Sequence, residues 1–315
     1  MIRIRKANLQ DYLQIWQIHA SDIADWVDET GEVDEAKFRQ TSMAERWRIG
    51  GPWMSPETCA IHLNALLLAG QIPLVASKGQ RVLGELELFV GPDARAGGKN
   101  ANISVLYAHR VARGQRIGSA LLHETVRRAR VLDCQSITVF NPSAEAERLY
   151  QRFGLTEELH QQQLHLPCQS GPRPAGVELT IVPLPDHAQL GDIPLWVGYY
   201  QSSVQCWQHV AWSLAPGIYA LALKPIRPEM IVQLRLSGGE TALLVFRPLG
   251  DGSVAMLHIW TRTPQDAFVR AAISYGAELG FKQLELMVDQ AAAQRLHRRF
   301  GGQILPGYKR LLCHL

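Results

Sequence analysis

The sequence predicts a mixed α/β protein built as two similar domains in tandem, and three observations predict it. The chain has 315 residues, long for one hydrophobic core, which stops growing efficiently at roughly 250 to 300 residues. Strand-like and helix-like stretches succeed one another in the same order twice. The stretch ERLYQRFG, Glu147 to Gly154, is also echoed by QRLHRRFG, Gln294 to Gly301.

At the start of the chain Ile2 to Ala7 alternates like a strand, and Asn8 to Asp11 carries a helix start signal. A helical pattern runs from Ser55 to Ala69 and stops at Gly70. Strands are expected at Ile72 to Ser77, Val82 to Val90 and Ala101 to Val111, joined by turns at Gly79, Gly91 and Gly97-Gly98. Then come an apolar-periodic helix, Ile117 to Leu132, a β-rich run, Ser136 to Phe140, and a helix, Ala144 to Phe153, closed by Gly154. The Gly- and Pro-rich segment 168–176, CQSGPRPAG, reads as a linker between domains at 1–167 and 177–315. Beyond it a strand (Val177 to Val182) and helical material through Trp212 precede three strands between Met230 and Thr261. A helix (Gln265 to Leu279), a strand (Gln283 to Val288) and a helix (Ala291 to Phe300) close the order.

An offset of 147 residues aligns Leu279 with Leu132, Ala291 with Ala144, Ala293 with Ala146 and Arg295 with Arg148. It also aligns Leu296, Arg299, Phe300 and Gly301 with Leu149, Arg152, Phe153 and Gly154. Duplication of one fold accounts for identities in register with matched elements. The copies part at one place. RGQRIGSALL, Arg113 to Leu122, lies between strand and helix in the first copy, where the second has the glycine-free TRTPQDAFV, Thr261 to Val269.

Composition narrows the function classes. A formal net charge of +3, with no Lys/Arg excess concentrated in either half, gives no nucleic-acid footprint. Apolar runs such as Ala65 to Ala69 fall short of the roughly 20 residues of a membrane span. Cys59, Cys134, Cys168, Cys206 and Cys313 show no CxxC spacing, so neither a disulfide framework nor a metal site is expected, and a cytoplasmic setting fits.

The turn Arg113 to Gly118 carries chemistry. The first N–H groups of a helix lack internal partners, the helix dipole places positive charge there, and glycines let backbone approach a bulky anion. The spacing is neither GxxxxGK[ST] nor GxGxxG. The same two glycines also suit a simple tight turn.

With strand ITVF and SAEAERLYQRFGL beside it, this turn resembles the GCN5-related N-acetyltransferase (GNAT) family over essentially Ile2 to Pro167. The resemblance implies, in each domain, a central, mostly antiparallel twisted sheet flanked by helices, with the second copy degenerate. It implies acetyl-CoA as cofactor and a primary amine of a small molecule or peptide as acceptor. The pyrophosphate turn falls on Arg113, Gly114, Gln115, Arg116, Ile117 and Gly118, running into Ser119, with Arg116 where the family has a glycine. The pantetheine arm would lie along Leu106, Tyr107 and Ala108, with a strand N–H near Ala108 facing the acyl carbonyl. Ala146 and Tyr150 match a later family pattern, with Ser143 in place of its usual Asn, and Tyr150 is the implied general acid.

The general base stays open. Asn102 and Ser104 stand where a fourth-strand Glu is usual; Glu85 and Glu87 are the nearest substitutes, with His109 and Tyr107 further candidates. Ser21 to Phe38 packs seven acids around Trp26, which suits a cationic amine through charge and cation–π contact or forms a solvated face. Trp47 and Trp53 line the same pocket or fill core. The alternative function is a non-catalytic acyl-CoA-binding or interaction protein on the same fold.

Overall fold

The computed structural model describes residues 1–171, 175–186, 190, 193–198, 202–214 and 225–315. The linker segment 168–176 therefore falls partly outside the described residues.

The N-terminal half opens with β1 (Arg3–Lys6) and α1 (Tyr12–Ala20). Asn8 and Asp11 form a reciprocal capping box just ahead of α1, which satisfies N–H groups the first turn would leave orphaned. Two short helices not foreseen in the sequence come next, α2 (Glu35–Arg39) and α3 (Met43–Gly50). Asp34 caps α2 and a Ser42/Glu45 box caps α3. Then come α4 (Pro56–Leu68), β2 (Ile72–Lys78), β3 (Arg81–Asp93), β4 (Gly98–Ala108), α5 (Ile117–Val131), β5 (Ser136–Phe140), α6 (Ala144–Gln151) and β6 (Glu157–Pro167). β4 stops three residues before the expected Val111, because His109 starts a 3-10 turn and its ring accepts from the Val111 N–H.

The C-terminal half holds β7 (Val177–Ile181), β8 (Leu195–Val197), α7 (Ser203–Leu214), β9 (Ile231–Leu236), β10 (Thr241–Leu249) and β11 (Val254–Trp260). It ends with α8 (Asp266–Glu278), β12 (Gln283–Asp289), α9 (Gln290–Phe300), β13 (Gln303–Ile304) and β14 (Tyr308–His314).

Among the described residues all strands join one sheet, in the order β1-β2-β3-β4-β5-β14-β6-β12-β11-β10-β9-β7, with β13 on β6 and β8 on β11. Among the described residues only β4/β5 and β11/β12 pair in parallel. Each parallel pair is joined through a helix, α5 in the first half and α8 in the second, so the strand–helix order recurs. The fold is thus a mixed α/β arrangement around a large, mostly antiparallel sheet.

The halves interlock. β14, from the end of the chain, lies between β5 and β6, with Leu311 opposite Val139 on one side and Glu158 on the other. β6 in turn pairs with β12. The cores exchange accordingly: Leu164 and Leu166 of β6 pack into the C-terminal core, and Leu311 of β14 into the N-terminal one. The N-terminal half has cores on both faces of its sheet, one under α5 and α6 around Leu86, Leu121 and Tyr150, the other under α1 and α4 around Trp16, Phe38 and Leu63.

Candidate functional site

β4 and β5 stay paired only from Asn100/Ser136 to Ile103/Val139. Beyond that they part, and residues 104–108 have no strand neighbour on the β5 side. A cleft of about 1150 Å³ opens there, lined by Ser104 to Ala108, the start of α5 and the inner face of α6. That volume suits a ligand of nucleotide size.

At its floor α5 begins at Ile117 with no side-chain cap and no acidic residue in its first turn. Its leading N–H groups therefore face the cleft without an internal partner. Arg116 sits at the N-cap with φ +63°, a left-handed conformation that favours glycine. The departure from the family glycine thus leaves the backbone shape unchanged and adds a guanidinium at the rim. Gly114 (φ +77°) has open space where a Cβ would stand. Gly118 answers to packing instead, since a Cβ there would lie 2.9 Å from Leu149 Cδ2 of α6. Arg113 pairs with Asp22, and both line the cleft.

Tyr150 is buried in the wall of this cleft, its hydroxyl without a hydrogen-bond partner among the described residues. Burial raises its phenol well above the ordinary value, so it keeps its proton. Ser143 caps α6 by accepting from the Ala146 N–H at 3.2 Å. Of the thirteen residues expected to hold a cofactor, the structure gathers all but Gln115 around this one cleft; the Gln115 side-chain amide turns back to the Val111 carbonyl.

Glu85 and Glu87 lie behind the cleft. Cross-strand from them stand Tyr107, which lines the cleft, and Val105. Both carboxylates are about 2 % exposed and each meets an imidazole from a covering helix: Glu85 Oε1 meets His19 Nε2 of α1, and Glu87 Oε1 meets His62 Nε2 of α4 at 2.9 Å. Trp53 Nε1 also donates to Glu87 Oε1, at 2.8 Å, while Glu87 Oε2 is buried without a hydrogen-bond partner among the described residues. The His19 ring lies 4.3 Å from that of Tyr107 and 5.5 Å from that of Trp53. Burial first, and the Glu87 charge second, raise the Glu85 carboxyl well above the usual carboxylate range. Burial pulls His19 down to about 3. Both directions favour uncharged forms, so the pair holds a proton between carboxylate and imidazole.

His19 and His62 were missed in the sequence. A histidine on an otherwise apolar helix gives no signal of what it faces; only the strand-to-helix packing reveals the pairing. Trp26 is corrected: it is buried against Phe38 in the α1/α4 core, its indole N–H 3.2 Å from Thr41 Oγ1, and does not line the cleft. Trp53 takes the place beside the carboxylates. His109 is buried, lowered in pKa by that burial, and turned toward Glu32, also away from the cleft. Asn102 and Ser104 face a glutamine of the C-terminal half, Gln205.

The second half has no equivalent cradle among the described residues. The first turn of α8 carries Asp266, a carboxylate at the helix end where an anion would otherwise bind. Asp266 is held by Arg295 and Arg299, each at 3.0 Å. His297, which aligns with Tyr150, is exposed. Among the described residues no group of three or more His, Cys, Asp or Glu could hold a metal, and no helix is long and apolar enough to cross a membrane.

Comparison with known proteins adds family and fold. Residues 36–155 match the model of the acetyltransferase (GNAT) family, a span containing β3, β4, α5, β5 and α6. A GCN5-related N-acetyltransferase from Anabaena variabilis ATCC 29413 superposes with a TM-score of 0.61 at 14% identity, over 99% of this chain and 72% of its own. One from Kribbella flavida gives 0.55 at 10% identity, over 99% and 71%. At such identities the likeness is one of fold, and it extends through both halves. No curated protein matches the sequence.

Proposed function

We propose, from the match of residues 36–155 to the acetyltransferase (GNAT) family, that the chain acetylates a primary amine of a small molecule or peptide, using acetyl-CoA, in the cleft of its N-terminal half. One observation carries the reading: the parting of β4 from β5 and the uncapped start of α5 open into the same cleft, with Tyr150 in its wall.

The residues fit the cofactor in two ways. The free edge of Leu106, Tyr107 and Ala108 offers backbone pairing to an extended amide-bearing arm. The leading amides of α5, at Ile117, Gly118 and Ser119, together with the Arg116 guanidinium, suit a diphosphate. Acetyl-CoA supplies the activated acyl thioester; the chain supplies orientation and proton handling. Tyr150 holds a proton on its hydroxyl, facing the cleft, for the departing sulfur. Glu85 already shares a proton with His19, so Glu87, held by His62 and Trp53, takes the proton an acceptor ammonium must lose. Asp22 and Glu87 supply negative charge for a cationic acceptor beside the Trp53 and Tyr107 rings.

The test is calorimetric titration with acetyl-CoA, then coenzyme A release over a panel of polyamines, aminoglycosides, amino acids and peptide N-termini. Binding with turnover on one amine class is expected, and absence of acetyl-CoA binding refutes the reading. Arg116 at the motif glycine favours one second reading, an acyl-CoA-binding protein without turnover, whose signature is binding heat with no coenzyme A released on any amine.

A further inference from the structure

The C-terminal half lacks a cradle of its own, yet one of its helices reaches the point where the cleft begins. The α7 helix, Ser203–Leu214, has two working faces. Cys206 and Val210 are buried in the C-terminal core, and Ser203 Oγ accepts from Trp260 Nε1 at 3.1 Å, which anchors the helix to β11. Val204 and Trp212 instead pack with Leu66 and Phe89 of the N-terminal half. Val204 also fills the space over Gly91 of β3, which a side chain there would overlap.

Between these apolar contacts lies Gln205, about 3 % exposed. Its Oε1 accepts from Asn102 Nδ2 at 3.2 Å, and its Nε2 donates to Ser104 Oγ at 2.7 Å. The two β4 residues differ in kind. Asn102 belongs to the paired part of β4, opposite Thr138 of β5, whose hydroxyl donates to Asn102 Oδ1 at 3.0 Å. Ser104 is the extra residue of a β-bulge: Glu87 faces Val105 and Leu88 faces Ile103, so nothing on β3 is opposite Ser104. It is also the first β4 residue past the β5 pairing and the first to line the cleft. A bulge bends its strand and redirects the residues beyond it. The Gln205 fork thus grips β4 on both sides of the position where it turns away from β5.

We propose that Gln205 is a positioning residue for acetyl-CoA binding: the C-terminal half supplies the side chain that fixes the β4 bulge and so sets the cofactor-binding edge at residues 104–108. This rests on the function proposed above and deepens it, because the second half becomes part of the acyl-transfer site. A buried amide that bonds through both its ends is costly to leave half-satisfied, which is why a bulge tied this way holds one geometry.

The test compares Gln205→Leu, which keeps bulk and removes both hydrogen bonds, with Val204→Ala, which loosens the same helix without touching β4. Acetyl-CoA affinity by calorimetry and KM for both substrates are measured alongside thermal unfolding. Gln205→Leu is expected to weaken acetyl-CoA binding about tenfold and raise its KM in step, leaving the amine KM within twofold; Val204→Ala should lower the melting temperature and leave acetyl-CoA affinity as in wild type. If Gln205→Leu does not fold, Ser104→Ala must give the tenfold loss. Wild-type affinity in a folded Gln205→Leu, or an equal loss in Val204→Ala, overturns the positioning role while the functional reading stands. A wild-type protein that binds no acetyl-CoA removes both.

Discussion

The exchange of β14 into the N-terminal sheet makes a distant residue answerable for the stability of the candidate site. Leu311 is fully buried in the cluster that contains Val139, Leu155 and Tyr150, although it stands more than 150 positions after them in the chain. Truncation to alanine removes the transfer free energy of the deleted methyl groups and leaves a cavity, a combined cost of about 2–5 kcal/mol. Ladders on both sides of β14 oppose collapse of that cavity, which argues for about 3 kcal/mol. In a chain of this size that is roughly a 6–12 °C fall in melting temperature. Leu311→Ala is therefore expected to destabilise strongly in urea or thermal unfolding and to weaken acetyl-CoA binding, because the core cluster that holds Tyr150 in the cleft wall is loosened. Leu315→Ala, at an exposed site, should stay within about 0.5 kcal/mol of wild type. Residues 1–167 made alone should aggregate, since β5 would show a bare edge and β6 would lose both flanking strands. A loss under about 1 kcal/mol in Leu311→Ala, or a folded monomeric 1–167 fragment that binds acetyl-CoA, refutes the exchanged-strand reasoning.

Four further outcomes are expected. Tyr150→Phe should lower turnover about 10²- to 10⁴-fold with acetyl-CoA affinity nearly unchanged, and a wild-type rate by coenzyme A release removes Tyr150 from the chemistry. Gly118→Asp should abolish acetyl-CoA binding through a carboxylate at the α5 amides, whereas Gly118→Ala, which Leu149 can accommodate by shifting its flexible end, should keep most of it; equal affinities by calorimetry for the two variants count against the anion cradle. Arg116→Gly should raise stability by about 1 kcal/mol, because glycine, without a Cβ, adopts φ +63° at no steric cost; unchanged denaturant midpoints contradict this. His258, whose pKa burial lowers to about 3, takes up protons only on unfolding between that value and about 6.5, so its contribution is present above pH 6.5 and is lost as pH falls. His258→Gln should thus reduce the stability lost between pH 7.5 and 5.5 by about 1.4 kcal/mol, and an undiminished loss shows that the ring is already charged in the folded state.

What could be read in the sequence was local. The glycine turn before α5, the alternation of β2 to β4 and the Ser143-capped helix with Tyr150 all advertise themselves within a few residues, because period and cap chemistry are local properties. The partners of those elements are not local. β6 reads EELHQQQLHLP, a polar run without a β-branched residue, and it forms a strand because β14, β12 and β13 supply its ladder. The carboxylates on β3 were visible as candidates, but not the imidazoles that meet them, since His19 and His62 belong to helices whose apolar faces look alike in either role. Trp26 and Trp53 illustrate the same limit: each is an aromatic near acidic residues, and only the direction of its helix segment puts one in the core and the other on Glu87.

The two halves differ at the helix that follows their inner strands, and they depend on each other. In the C-terminal half Asp266 occupies the helix end that would hold an anion, and two arginines hold Asp266, so the charge that a cofactor would bring is already provided from within. The C-terminal half is nonetheless tied to the N-terminal site. Its last strand closes the N-terminal sheet beside β5, and its α7 covers the same sheet face as α1 and α4, where Glu85, Glu87, Phe89 and Gly91 succeed one another at period two along β3. The first two positions bear the buried carboxylates, met by His19 and His62; the next two are apolar and met by Trp212 and Val204. One strand face thus runs from chemistry to docking surface without interruption, and the N-terminal site depends on contacts that only the whole chain can make.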